Sequence, residues 1–168
     1  METLRKHFVR LGFSGVETFI ASGNVIFEAP GAAPADLEEQ IAMELERVLG
    51  YPVATMLRSP ADLAAVVMHK PFDAKTFDYD SHGLYIGFLT AKPPKSTVEK
   101  VLALRNPVDE FHIRGKELYW GRRGRFSDSA VSGAMLERAL GIPMTVRNVT
   151  TVRKLAAKYC RVTNDLSS

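Results

Sequence analysis

From Gly121 to Ser129 the chain reads Gly-Arg-Arg-Gly-Arg-Phe-Ser-Asp-Ser, three guanidinium groups on a loop broken by glycine, with hydroxyls at Ser127 and Ser129. Arginine presents a planar fork of donors that matches an oxyanion, and a helix N-terminus offers free backbone N–H groups to the same charge. Ser127 or Asp128 is placed to cap a predicted helix over 128–140. Arg122, Arg123, Arg125 and Ser127 therefore form a candidate site for a small phosphorylated or carboxylated ligand, with Arg147 as a further cation. The stretch is not a P-loop, since no lysine and threonine or serine follow its second glycine. A solvated arginine loop is the competing reading.

The remaining candidates have strong structural alternatives. Asn148 is polar and joins the ligand-binding set, yet it sits where a following helix wants an N-cap, and Arg147 before it is placed to pair with an acidic neighbour. Ser22 and Asn24 flank Gly23 in a triplet that is first a tight turn and only second a loop offering polar groups to a ligand. Asp78-x-Asp80-x-His82-Gly83 begins like a calcium loop, but its twelfth position is Leu89, where a bidentate glutamate belongs. The four histidines show no helical or zinc-ligand spacing, and Cys160 has no second thiol. No metal and no cofactor is expected. Ser22 lacks a nucleophile elbow, so the catalytic residues are unknown and an enzyme is the less favoured class.

Those candidates need a scaffold, and composition bounds it. With 168 residues, 46% of them hydrophobic and 24% charged, the chain is built like a globular protein with one good core or two small ones. The longest apolar run, Leu63 to Met68, is six residues, far short of the roughly 20 that cross a bilayer. The first 20 residues are amphipathic and basic, without a signal-peptide core, so a cytoplasmic location is expected. Residues 1–110 hold 11 Lys and Arg against 15 Asp and Glu, a balance of −4, while residues 111–168 hold 11 against 4, a balance of +7. A basic half attracts anions of any kind, including nucleic acid.

Hydrophobic periodicity orders the elements. Glu2 to Leu11 reads as a helix, Glu17 to Ala21 and Val25 to Glu28 as a hairpin, Pro34 to Leu49 as a helix closed by Gly50, and Val53 to Leu57 as a strand. A linking helix over Pro60 to His69 and an acidic loop lead to Leu84 to Leu89, apolar enough to be buried on both faces. Then come a helix over Ser96 to Leu104, a hairpin turning at Arg114-Gly115-Lys116, the helix over 128–140, a strand over Met144 to Arg147 and a last helix. The second half thus runs strand, helix, strand, strand, helix, strand. The first has the same order without its opening strand.

This order predicts an α+β protein of two tandem ferredoxin-like split βαβ units, the first truncated by its opening strand. Residues 1–58 form the truncated unit, 59–82 the linking helix and acidic loop, 83–160 the second unit and 161–168 a tail, with seven strands in all. A missing strand leaves backbone donors and acceptors open, so the first unit is expected to gain stability from a strand supplied upstream or to pair with another chain.

Thr18-Phe19-Ile20-Ala21-Ser22-Gly23-Asn24-Val25-Ile26-Phe27, Pro71-Phe72, and Met144-Thr145-Val146-Arg147-Asn148-Val149-Thr150-Thr151-Val152 together resemble the domain of unknown function 1697 (DUF1697) family, a group of mostly bacterial proteins. The resemblance implies an α+β protein without an established activity. Members usually begin with a strand and a glycine-rich segment, whereas this chain starts where that segment would end. Their glycine, arginine, serine, lysine run appears here as Gly124-Arg125-Phe126-Ser127-Asp128 without the lysine, and the tryptophan often found after arginine-asparagine is Val149.

The favoured expectation is an anion-binding module with no membrane partner. Single-stranded nucleic-acid binding stands second, because Leu84-Tyr85-Ile86-Gly87-Phe88-Leu89 resembles the first-strand motif of RNA-recognition domains. That reading requires Tyr85 and Tyr119 on an open sheet face, and Gly115 to Trp120 lacks the second motif's basic-glycine-aromatic-glycine opening.

Overall fold

The computed structural model describes residues 2–19, 23–124 and 129–160. The chain divides into a unit of Met1–Leu57 and a unit of Arg58–Ser168. It is a mixed α and β protein with two sheets, and six helices and six strands lie among the described residues.

In the first unit, α1 (Glu2–Arg10) precedes an antiparallel hairpin of β1 (Ser14–Phe19) and β2 (Asn24–Glu28), and α2 (Pro34–Leu49) follows. Pro34 opens α2 and Gly50 closes it in the left-handed region at φ 80°, its N–H donating to the Glu46 carbonyl. The apolar stripes meet in one cluster of Phe8, Phe13, Val16, Leu37, Ile41 and Leu45, where Phe13 stacks on Phe27 with centroids 4.5 Å apart.

Val53 to Leu57 is not a strand, which corrects the sequence expectation. Its apolar residues Val53 and Leu57 do pack on that cluster. The Leu57 N–H, however, donates to Glu38 Oε1 at 3.0 Å, and among the described residues this unit's sheet is the β1–β2 hairpin.

The second unit begins with α3 (Pro60–Met68), whose N-terminus carries a reciprocal cap between Ser59 and Asp62. β3 (Gly83–Leu89), α4 (Lys95–Leu102), β4 (Asp109–Arg114), β5 (Glu117–Arg122), α5 (Gly133–Leu140), β6 (Met144–Asn148) and α6 (Val149–Tyr159) follow. The strands lie in the order β4-β5-β3-β6 with every neighbour antiparallel. Gly115 takes φ 60° in the β4–β5 turn, and Asn148 caps α6 by accepting the Thr150 N–H.

One face of this sheet is covered by α4 and α5 over Leu89, Phe111, Leu118, Trp120 and Met144. Across the other, α6 packs on β3 and on α3, and the loop after α3 lays Phe72 and Phe77 against Gly121. β3 is therefore buried on both sides, as its composition requires.

The helix expected over 128–140 starts five residues later, at Gly133. Ser132 is its cap, accepting the Met135 N–H, and Val131 is buried ahead of the first turn. The proposed caps Ser127 and Asp128 lie outside the described residues. Ser129 is held elsewhere, its hydroxyl donating to Asp109 and accepting the Val131 N–H.

Candidate functional site

Strand alternation sorts the arginines. On β5, Leu118, Trp120 and Arg122 project to the α4–α5 face, while Tyr119 and Gly121 project to the other. Arg122 is consequently buried, its guanidinium 4.1 Å from the Trp120 ring centroid and 5.4 Å from that of Tyr85. Its Nε stands 3.6 Å from Asp109 Oδ1, and Nη2 donates to the Val131 carbonyl at 3.5 Å. The Asp109 carboxylate also accepts from Trp120 Nε1 (2.8 Å), Asn106 Nδ2 (3.0 Å) and Ser129 Oγ (2.7 Å). Through this network Arg122 on β5 is joined to Asp109 on β4 and to Ser129 and Val131 ahead of α5.

Arg123 is differently placed. Its backbone N–H donates to the Val108 carbonyl, extending the β4–β5 ladder by one residue. Its side chain is about a quarter exposed at 27%. Nε donates to the Thr76 carbonyl at 3.1 Å, Nη2 pairs with Glu110, and the guanidinium lies 5.7 Å from the Phe77 ring centroid. It is an oriented surface cation directly before Gly124. Arg125 and Ser127, the next two members of the expected site, lie outside the described residues.

Arg147 and Asn148 are not gathered there. Arg147 pairs in register with Ile86, and Ile86 with Tyr119, so it stands two strands across and four residues short of Arg123. Strand spacings make that roughly 10 Å by 13 Å. It lies on the face opposite Arg122, half-buried, donating to Thr145 Oγ1 (2.6 Å) and the Val146 carbonyl (3.0 Å), and burial lowers its pKa. Asn148 is the α6 cap. Asn24 belongs to the first unit, where its Nδ2 donates to the Phe19 carbonyl across the hairpin, and Ser22 lies outside the described residues.

Tyr85 and Tyr119 do not form a stacking platform, because they project to opposite faces and Tyr119 is 2% exposed. The acidic loop closes on itself: Asp78 Oδ1 accepts the Asp80 N–H, Oδ2 accepts from Ser81 Oγ, and these bonds hold the Asp78 carboxyl below its usual value. Among the described residues no three His, Cys, Asp or Glu side chains gather as a metal set, and no helix is long and apolar enough to cross a membrane.

One pairing has no signal in the sequence. His69, at the C-cap of α3, and His112, on β4, bring their rings to 5.3 Å between centroids, and both lie against Tyr119 at 5.0 and 6.0 Å. Burial pushes both imidazoles below their ordinary value, aided by the charge of Arg114, and burial pushes Tyr119 up to about 12.

The family described as protein of unknown function (DUF1697) matches residues 1–119. The chain belongs to this family. The DUF1697 match takes in the hairpin of Thr18 to Phe27 and ends before the arginine loop and the Met144 to Val152 stretch. The chain is also similar to a solved structure, that of the conserved bacterial protein SP0830 from Streptococcus pneumoniae, with a TM-score of 0.69 and 24% identity over 96% of this chain and 89% of that one. That likeness shows the fold of this DUF1697 protein. No curated protein matches it.

Proposed function

We propose that this DUF1697 protein is a binding module for a small phosphorylated or carboxylated ligand, taken at the loop that begins with Arg123. The observation that supports this reading is the state of Arg123, a partly exposed guanidinium already oriented by Thr76, Glu110 and Phe77 and followed at once by Gly124. An oriented fork loses little rotamer entropy when it grips an oxyanion, and glycine lets a ligand approach the backbone closely. Arg125 and Ser127 complete the proposed site. Arg122 supports the loop from beneath through Asp109, and Arg147 and Asn148 lie elsewhere.

We also infer that the second unit is a ferredoxin-like split βαβ unit, from its element order and its β4-β5-β3-β6 arrangement. The first unit holds the middle of that order, helix, strand, strand, helix. In the second unit β6 pairs with the opening strand β3.

Thermal-shift screening of phosphorylated and carboxylated metabolites tests the site, comparing the wild type with Arg123→Ala and Arg125→Ala combined, and with Arg123→Lys. The expected result is stabilisation of the wild type by a subset of ligands, weakened in Arg123→Lys and absent in the double variant. Stabilisation that survives the double change removes the site.

A further inference from the structure

We propose that His69, His112 and Arg114 form a second oxyanion site, on the β4–β5 face that also bears Arg123 but independent of that loop.

The register of β4 and β5 sets Glu110 opposite Gly121, His112 opposite Tyr119 and Arg114 opposite Glu117, all six on the face away from α4 and α5. Both carboxylates on this face are taken: Glu110 pairs with Arg123, and Glu117 accepts from Arg58 Nε at 2.7 Å. What remains between them is the Arg114 guanidinium, which only donates, and two imidazoles, each with one N–H when neutral and two when protonated. His69 closes over His112 from the end of α3, and its Nε2 is buried without a hydrogen-bond partner among the described residues. Native interiors rarely leave a polar nitrogen so, and an orphan calls for a partner. The Tyr119 hydroxyl keeps its proton at neutral pH and adds another donor on the same face. Lys70, the next residue after His69, lies over Tyr79 at 5.5 Å and adds positive charge.

A guanidinium and two protonatable imidazoles, beside carboxylates that are already paired, fit an acceptor-bearing ligand: a sulfate, phosphate or carboxylate group. A metal ion fits less well. The neutral imidazoles would offer it lone pairs, but the charge of Arg114 that already acts on both rings would repel a cation and attract an anion. Binding is also linked to pH. Arg114 and burial disfavour the imidazolium form in the free protein, and a bound oxyanion favours it, so binding takes up protons and affinity rises as pH falls.

The test is a titration of the full chain with sodium sulfate, whose charge is constant across the range, followed by the imidazole resonances above and below the ordinary histidine pKa. Sodium chloride at matched ionic strength is the control. The expected result is a saturable shift of His69 and His112, tighter at the lower pH, with His7 and His82 unmoved. His112→Gln should abolish it, and Arg125→Ala, which keeps the Arg123–Glu110 pair, should leave it intact. If His112→Gln fails to fold, Arg114→Gln at an exposed position reads the same loss of affinity. Shifts reproduced by chloride, saturable shifts that persist in His112→Gln or Arg114→Gln, or a pair that responds to zinc and not to sulfate would each overturn the site.

Discussion

Asp109 and Arg122 face each other across the β4–β5 ladder with Oδ1 and Nε 3.6 Å apart and side chains 0% and 3% exposed. A charge this deep is tolerable only with its partner and its hydrogen bonds, and here Trp120, Asn106 and Ser129 supply the bonds. Arg122→Ala is therefore expected to cost about 3–5 kcal/mol by leaving Asp109 buried and unpaired. Chemical denaturation measures it, and a loss under about 1 kcal/mol, the range of an exposed pair, would contradict the assignment.

Gly121 and Gly87 are both close to side chains, but not equally. A Cβ at Gly121 would meet Phe77 Cε2 at 2.6 Å and Phe72 Cε2 at 2.7 Å, two packed rings, whereas at Gly87 its nearest neighbour would be Met144 Sδ at 2.5 Å. A thioether swings aside and a buried ring does not. Gly121→Ala is expected to destabilise by about 1–3 kcal/mol, and Gly87→Ala by less. Equal unfolding midpoints for the two variants would show that the loop over Gly121 is not packed as described.

Asn148 separates capping from ligand binding. Its side chain accepts the Thr150 N–H at 2.9 Å, so Asn148→Ala should cost about 1 kcal/mol while Asn148→Asp keeps most of that stability. Neither change should alter any ligand-induced thermal shift. A variant with unchanged stability and a lost ligand shift would return Asn148 to the binding site.

Acidification should loosen the chain in two steps. The folded pKa values of His69 and His112 lie below the unfolded imidazole value of about 6.5, so their contribution is whole above that pH and is lost as pH falls through their folded values. Glu44 is held at about 2, chiefly by its hydrogen bond from Arg47, so its share persists until pH drops from the ordinary carboxylate range toward 2. Unfolding midpoints followed against pH should show the first step in the wild type and lose part of it in His69→Gln. A flat profile between neutrality and the carboxylate range contradicts the His69–His112 packing.

Local chemistry was legible wherever one residue type decides a backbone state. Gly50, Gly115 and Asn148 end, turn and cap as their sequence contexts demand, and the apolar run of β3 lies buried on both faces. What the sequence hid depends on partners far along the chain. Val53 and Leu57 pack on the first unit's cluster from a segment that is not a strand, which no local pattern reveals. Arg122 and Arg123 look alike in sequence, yet alternation buries one against Asp109 and leaves the other at the surface with Glu110. The pairing of His69 with His112 arises only when α3 ends over β4.

The loop at Arg123 is the central claim, and amide chemical-shift mapping reaches it most directly. With isotope-labelled full chain titrated with pyrophosphate and, separately, with citrate, saturable perturbations should centre on Arg123, Gly124 and the residues up to Ser129. They should vanish when Arg123 and Arg125 are both changed to alanine, while the signals of Arg147 and Asn24 stay in place. Perturbations that avoid residues 123–129, or that persist in the double variant, would contradict the account.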